Sequence, residues 1–321
     1  MAETLLEVKD LSTYFYTEEG TAKAVDGVDF EIGQNEVLGL AGESACGKTV
    51  TALSILRLVP APGRIVSGQI LYRGEDLLKY PEDRMRRIRG REISMVFQEP
   101  ATSLNPVFTV GDQIVETLIL HQELSRREAR NKAVQMLDLV GIPSPESRIY
   151  DYPHNLSGGM AQRVMSAMAL ACNPSLLIAD EPTTALDVTI QAQILELLKE
   201  LQARFGMSIL LITHNLGIIA QVSDRLAIMY AGKVVEYGKV DRILKAPAHP
   251  YTLGLLDSIP RVETIRSRLS TIKGMVPRPI EWPSGCRFHP RCKYATSVCK
   301  EREPEMLEVA PGHRVRCHLA R

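Results

Sequence analysis

The 321-residue sequence carries no net charge, with 38 Lys and Arg against 38 Asp and Glu. That balance offers a polyanion no purchase, so nucleic acid is not expected as a partner. Nor is there an uninterrupted apolar run of roughly 18 residues, the length a membrane-crossing helix needs. The opening Met-Ala-Glu-Thr lacks the basic and apolar regions of a secretory signal. The expectation is a cytosolic chain that meets a membrane only through partners. Cysteine is nearly missing from the body, where Cys46 and Cys172 stand alone, and then crowds at Cys286, Cys292, Cys299 and Cys317. In a cytosolic chain such crowding suggests metal before disulfides. Regular structure is scarce in the same region. Pro260, Pro277, Pro279, Pro283, Pro290, Pro304 and Pro311 break it up, so something other than a hydrophobic core is expected to order the tail.

What is present begins with Gly42-Glu43-Ser44-Ala45-Cys46-Gly47-Lys48-Thr49, a complete G-x-x-x-x-G-K-[ST] loop. It follows the buried-type run Glu36–Ala41 and precedes a helix carrying Leu53, Ile55, Leu56 and Leu58, the context that gives this loop its meaning. Successive backbone N–H groups and a helix N-terminus supply a fixed positive field for phosphate. Lys48 would reach the β- and γ-phosphates of ATP, and the Thr49 hydroxyl would ligate Mg²⁺. Only Gly42 and Gly47 are demanded by the pattern. Ala45 makes the loop less permissive than glycine would, and Val50 brings no hydroxyl to the phosphates.

Leu176-Leu177-Ile178-Ala179 reads as a buried strand ending in Asp180-Glu181. Asp180 can hold Mg²⁺ through water, and Glu181 is the candidate general base that polarises the attacking water. Other strands are expected at 5–9, 27–32, 93–97, 208–212 and 225–229, with helix-period stretches at 188–204 and 215–222. A helical block runs from about Val110 to Ala171. Strands alternating with helices argue for a parallel α/β core.

Together these motifs resemble the ATP-binding cassette (ABC) ATPases over residues 1 to about 255. The resemblance rests also on Leu156-Ser157-Gly158-Gly159-Met160, similar to the family signature that contacts a nucleotide held by a second subunit. It implies an α/β P-loop fold with a parallel sheet, an antiparallel β subdomain and an inserted helical subdomain at about 110–171. It further implies that Ser157, Gly158 and Gly159 meet the partner's γ-phosphate, and that Gln98 contacts Mg²⁺ or water and couples to a transmembrane partner. Ala185-Leu186-Asp187 matches the loop that crosses the dimer interface, and His214 the switch residue at the γ-phosphate. Phe15 falls where the family stacks an aromatic on adenine, with Tyr14 and Tyr16 as competitors. Tyr152-Pro153-His154-Asn155, with Gln162-Arg163-Val164-Met165, Phe97-Gln98-Glu99-Pro100 and Thr102-Ser103-Leu104-Asn105-Pro106, looks like the peptide/nickel importer branch; Ala161 stands where an Arg is frequent there.

The tail, read as a separate segment from 256 to 321, has the spacing C-x5-C-x6-C-x17-C. Four thiolates suit Zn²⁺ or a [4Fe–4S] cluster. The C-terminal extension of peptide-importer ATPases resembles this arrangement and in some members carries [4Fe–4S], which makes the expected tail irregular and metal-stapled. It holds 13 Lys and Arg against 7 Asp and Glu. Arg287, Arg291 and Lys293 could offset a cluster's negative charge, or form a merely solvated basic surface. Gly42–Thr49 is expected to belong to a separate α/β core, so that changing a tail cysteine alters ATP affinity little.

The reading is the ATPase subunit of a prokaryotic importer for dipeptides or oligopeptides, at the cytoplasmic face of the membrane. It would bind ATP, Mg²⁺ and a [4Fe–4S] cluster. Its implied partners are a second ATPase subunit (copy or paralogue), two transmembrane permeases and an extracellular substrate-binding protein. Nickel, glutathione and oligosaccharide remain open as cargo. One rival is a soluble ABC ATPase serving DNA repair or translation, but the two cassettes or long coiled-coil insertion usual in such chains do not appear here; another is a soluble ABC ATPase with a redox-sensing cluster, to which the ATPase is subordinate.

Overall fold

The computed structural model describes residues 3–99, 103–184, 187–258 and 272–320. The readings at Pro100, Thr102, Ala185, Leu186 and Pro260 lie outside them. In chain order the strands are β1 (Thr4–Thr17), β2 (Gly20–Gly33), β3 (Val37–Ala41), β4 (Gly63–Tyr72), β5 (Glu75–Asp76) and β6 (Ile93–Val96). They continue with β7 (Leu176–Asp180), β8 (Ser208–Thr213), β9 (Arg225–Tyr230), β10 (Lys233–Lys239), β11 (Leu307–Ala310) and β12 (His313–Val315). The chain divides into two compact units, one of residues 1–33, 37–79 and 211–321, the other of 34–36 and 80–210.

In the first unit β1, β2, β4 and β5 form an antiparallel sheet in the order β2-β1-β4-β5. The sequence suggested two short strands at 5–9 and 27–32, yet β1 and β2 each run 14 residues. Register shifts at several points let the polar, mismatched middle of the pair stay in the ladder. The same unit holds a run of strands in the order β11-β12-β10-β9-β3. Here β3 and β9 are parallel, but β9 and β10 are antiparallel, so the sheet is mixed where a parallel one was expected. The cause is the two-residue link Ala231-Gly232, with φ of 50° and 80°. Two consecutive positive φ values are those of a tight hairpin turn matching strand twist.

In the second unit β6 and β7 pair in parallel. Every residue of β7 is buried, as is every residue of β3. Such continuous apolar runs are what strands covered on both faces require. Between β6 and β7 come the helices Val110–Gln122, Arg126–Leu139, Pro145–Arg148 and Gly158–Leu170. Thr109, Ser125 and Ser157 cap three of them by accepting from an N–H of the first turn.

The tail corrects the expectation that it lacks a core. Phe288 is 4% exposed and packs against the rings of Tyr230 (centroids 5.1 Å apart) and Tyr251 (5.4 Å). Ile272, Val276, Trp282, Cys286 and Cys292 pack on the same cluster. β12 then adds to β10 by antiparallel pairing of Val315 with Glu236 and of Arg314 with Tyr237. The isolated apolar residues of the tail complete a core begun elsewhere instead of building their own.

Beneath this packing lies Glu236, a fully buried carboxylate. It accepts from the N–H groups of Ala248 (2.7 Å) and His249 (3.0 Å), from the Thr252 hydroxyl, and stands 2.7 Å from His313 Nε2 in the tail. A buried charge persists only with such satisfaction. His249 caps the helix Pro250–Asp257 by accepting from Tyr251 N–H at its Nδ1 (3.0 Å). Burial pushes its pKa down to about 3, so the folded protein holds it neutral. The unfolded chain takes up that proton below the ordinary value of 6.5, so stability present above pH 6.5 is lost as pH falls towards 3. One proton gives a slope of about 1.4 kcal/mol per pH unit. His249→Asn keeps an acceptor at the cap and removes the titration. Denaturant melts between pH 6.5 and 5 are expected to show a shallower slope in this variant, and an unchanged slope would discount His249.

Candidate nucleotide-binding site

The loop Gly42–Thr49 leaves β3 and enters the helix Lys48–Ile55. Gly42 and Gly47 have φ of 154° and 105°. A Cβ at Gly42 would lie 2.2 Å from the Met229 carbonyl oxygen, and one at Gly47 2.4 Å from that of Ala24. Both positions therefore exclude every side chain, by conformation and by contact. Ala45 also adopts a positive φ, 62°, which costs it roughly 1 kcal/mol relative to glycine. Lys48 is 5% exposed, and its Nζ lies within the loop, donating to the main-chain oxygens of Gly42 (2.9 Å) and Glu43 (3.0 Å). Cys46 is buried beside it, and burial pushes its thiol pKa up. Ser44 and Thr49 are exposed and Val50 half-buried, so the Thr49 hydroxyl is presented at the start of the helix.

Three aromatics stand near the end of β1. Phe15 is half-buried and faces Ala22 and Gly63 across the ladders. The Tyr14 hydroxyl donates to Asp26 at 2.6 Å; burial, then that carboxylate, pushes its pKa up to about 12. Tyr16 is 49% exposed. Tyr14 is thus committed to a hydrogen bond, while Phe15 and Tyr16 present ring surface. His214, at the end of β8, is exposed, and Asn215 beside it caps the helix Leu216–Val222.

In the second unit Asp180 ends β7 and is buried, and Glu181 follows it with a φ of 45°. Backbone in that region is rare for a residue with a side chain and clusters at functional sites. Glu181 Oε2 accepts from Gln98 Nε2 at 3.1 Å and from the Thr184 hydroxyl at 2.8 Å. Two residues 83 apart in sequence, each singled out on its own motif, thereby meet. Ser157 Oγ accepts from Met160 N–H (3.3 Å), leaving Gly158 and Gly159 at an exposed helix start. Asp187 caps the helix Val188–Phe205 through Ile190 N–H (3.0 Å). The Ile190 side chain packs on Gly159, where a Cβ would come within 3.2 Å of it.

The four-cysteine expectation is not supported as a metal centre. Among the described residues no three His, Cys, Asp or Glu side chains are grouped so as to hold a metal ion. Cys299 and Cys317 are buried and Cys286 and Cys292 half-buried. Burial pushes the Cys286 thiol up to about 11 and also raises Cys292 and Cys317, with the neighbouring cysteines adding to each shift. The thiols are thus near enough to feel one another.

Of the basic residues only Lys293 acts on those sulfurs, its charge opposing the upward shift at Cys292. Arg287 pairs with Asp26 and donates to Ala231 O. Lys293 lies 5.0 Å from the ring of Tyr294. Arg291 instead grips the phosphate loop: Nη1 and Nη2 donate to the two carboxylate oxygens of Glu43 at 2.6 and 2.9 Å. The expectation that Gly42–Thr49 belongs to a core separate from the tail fails at this contact. Tyr251 also reaches the loop, accepting from Glu43 N–H at 2.8 Å. Sequence reading missed Glu43 and Tyr251 as site residues, because nothing in local spacing joins positions about 200 residues apart.

Residues 25–184 match the family described as ABC transporter, and residues 235–299 match the oligopeptide/dipeptide transporter C-terminal region. The oligopeptide transport ATP-binding protein AppD of Bacillus subtilis is 52% identical over 317 residues, covering 98% of this chain and 97% of that protein. The dipeptide transport ATP-binding protein DppD of Escherichia coli K12 is 48% identical over 314 residues, covering 98% and 96%. Among solved structures, the dimeric ATP-binding cassette MJ0796 in a post-hydrolysis state with ADP and Pi is 26% identical. It superposes with a TM-score of 0.66, covering 73% of this chain and 98% of that one.

Proposed function

We propose, from the premise that this chain belongs to the ABC transporter ATP-binding family in its oligopeptide/dipeptide branch, that it is the ATP-hydrolysing subunit of an importer for dipeptides or oligopeptides. The observation that carries this reading is similarity to peptide-transport relatives along the whole chain, C-terminal region included.

In this reading Lys48 and the N–H groups of Gly42–Thr49, Ser44, Ala45, Cys46 and Gly47 among them, hold the ATP phosphates. Val50 and Phe15 flank the nucleotide. Thr49, Asp180 and Gln98 are oxygen donors of the kind Mg²⁺ prefers, and the ion would neutralise charge on the phosphates. Glu181 takes the proton of the attacking water, and Gln98, bonded to it, orients that water. His214 bonds the γ-phosphate. Ser157, Gly158 and Gly159 present a helix start to the nucleotide of a second subunit, with Asp187 at the same interface. The partner ATPase is a copy or paralogue, and closure of the pair drives two transmembrane permeases fed by an external binding protein. Among the described residues no helix is long and apolar enough to cross a membrane. The boundary near 255 and the helical subdomain at 110–171 belong to this reading.

For the tail we assign Cys286, Cys292, Cys299 and Cys317 to a [4Fe–4S] cluster. The support is the donor set and the mutual influence of the thiols. Packing already orders this segment, so the cluster is not its staple. Iron and sulfide content after anaerobic purification tests it, and protein with zinc alone overturns it.

The transport reading is tested in vesicles carrying this chain with the transmembrane permeases of a peptide importer. ATP hydrolysis is expected to rise when a peptide-loaded binding protein is added. Stimulation by nickel or an oligosaccharide, and none by peptides, would move the chain to the alternative cargo.

A further inference from the structure

Glu43 places a carboxylate inside the loop that has to accept a triphosphate. An anion there, left alone, repels the ligand in a partly buried site where charges are weakly screened. Yet all three polar groups of Glu43 are taken. Its carboxylate lies in the Arg291 fork at 2.6 and 2.9 Å, and its N–H donates to the Tyr251 hydroxyl at 2.8 Å. Its carbonyl oxygen accepts from Lys48 Nζ at 3.0 Å. The Arg291 side chain is only 4% exposed, and its Nε donates to Lys273 O at 3.1 Å, which sets the plane of the guanidinium. Bidentate pairing of this kind fixes orientation as well as charge. Tyr251 is fully buried, and burial keeps its hydroxyl protonated. A second tail contact supports the first. Arg287 donates to Ala231 O, and the adjoining Gly232 N–H donates to Cys46 O at 3.0 Å.

We propose that Arg291 and Tyr251 are positioning residues of the nucleotide site, holding Glu43 so that the loop offers Lys48 and its N–H groups to a triphosphate with no opposing charge. The C-terminal segment is then a working part of ATP binding. The proposal rests on the reading that Gly42–Thr49 binds nucleotide.

The test is titration of the full-length chain with a fluorescent ATP analogue and Mg²⁺. R291M is expected to weaken binding about tenfold, since it exposes the ligand to an uncompensated carboxylate. R291M combined with E43Q is expected to recover to within about threefold of wild type, because the charge to be neutralised is gone. A purely structural Arg291 would show no such rescue, so failure of the double variant to recover overturns the proposal. K48A serves as control and should lose binding. Wild-type affinity in R291M with loss in K48A overturns the proposal alone, whereas wild-type affinity in K48A overturns the nucleotide reading beneath it. Should R291M not fold, Y251F removes only the hydroxyl that receives Glu43 N–H. It should bind a few-fold more weakly, and unchanged affinity would count against the proposal.

Discussion

Glu181→Gln is expected to keep nucleotide binding and to lower turnover by about 10²- to 10⁴-fold. The amide has the shape of the carboxylate and can still meet Gln98 and Thr184, which lie 3.1 and 2.8 Å from Oε2. It cannot take a proton from water or carry the charge that polarises it. The backbone at Glu181, with φ 45°, aims the side chain and is the same in either residue. An ATP-bound pair of subunits that forms only briefly in the native protein should therefore accumulate. Phosphate release and size-exclusion chromatography with ATP check both halves. Turnover near the native rate in a verified variant would remove Glu181 from the role of base.

The second large effect concerns how many chains make one site. Ser157 and Gly158 are exposed and Gly159 half-buried at a helix start, and in the proposed shared site they reach phosphate only across a pair of chains. Lys48→Ala and Ser157→Arg should each abolish hydrolysis alone, the first by removing the phosphate cation, the second by placing bulk at the interface. Mixed, they can form a dimer in which the Lys48 of one chain meets the Ser157 of the other. Random pairing then restores about a quarter of the native sites in a symmetric dimer. Activity that stays at zero across mixing ratios, with dimer formation verified, would contradict a shared site. So would full activity in a strictly monomeric preparation.

Legibility in the sequence followed the range over which each feature is encoded. β3, β7 and β8 are short, continuous apolar runs, and each is placed within a residue or two of its expected span. Loops and strand ends such as Gly42–Thr49 and Asp180-Glu181 are local patterns whose geometry needs few neighbours. The extent of β1 and β2 was hidden, because their middles hold polar residues that stay in register only through bulges. The antiparallel β9–β10 pair turned on Ala231, a residue that rarely takes positive φ and so gives no turn signal. The tail misled most. Phe288, Val315 and Trp282 follow no period, and their partners Tyr230, Glu236 and Lys23 lie far away in sequence. The same distance hid Arg291, which reads locally as one more basic residue among cysteines.

The contact between Arg291 and Glu43 spans 248 residues, and that separation bears on how the protein is made. Synthesis at about 5–20 residues per second puts tens of seconds between the appearance of Glu43 and the arrival of its counter-charge. During that interval β10 has an edge that β12 has not yet covered, and Tyr230 and Tyr251 await Phe288. A nascent chain can thus assemble its sheet around β3 and β9 while its phosphate loop still carries an unanswered negative charge. On the proposal above, full affinity for ATP arrives near the end of translation, after the segments that would join partner subunits have emerged. A chain cut short by a premature stop before residue 291 would carry the motifs for ATP, and Tyr251 to hold the Glu43 main chain, but no counter-charge for its carboxylate.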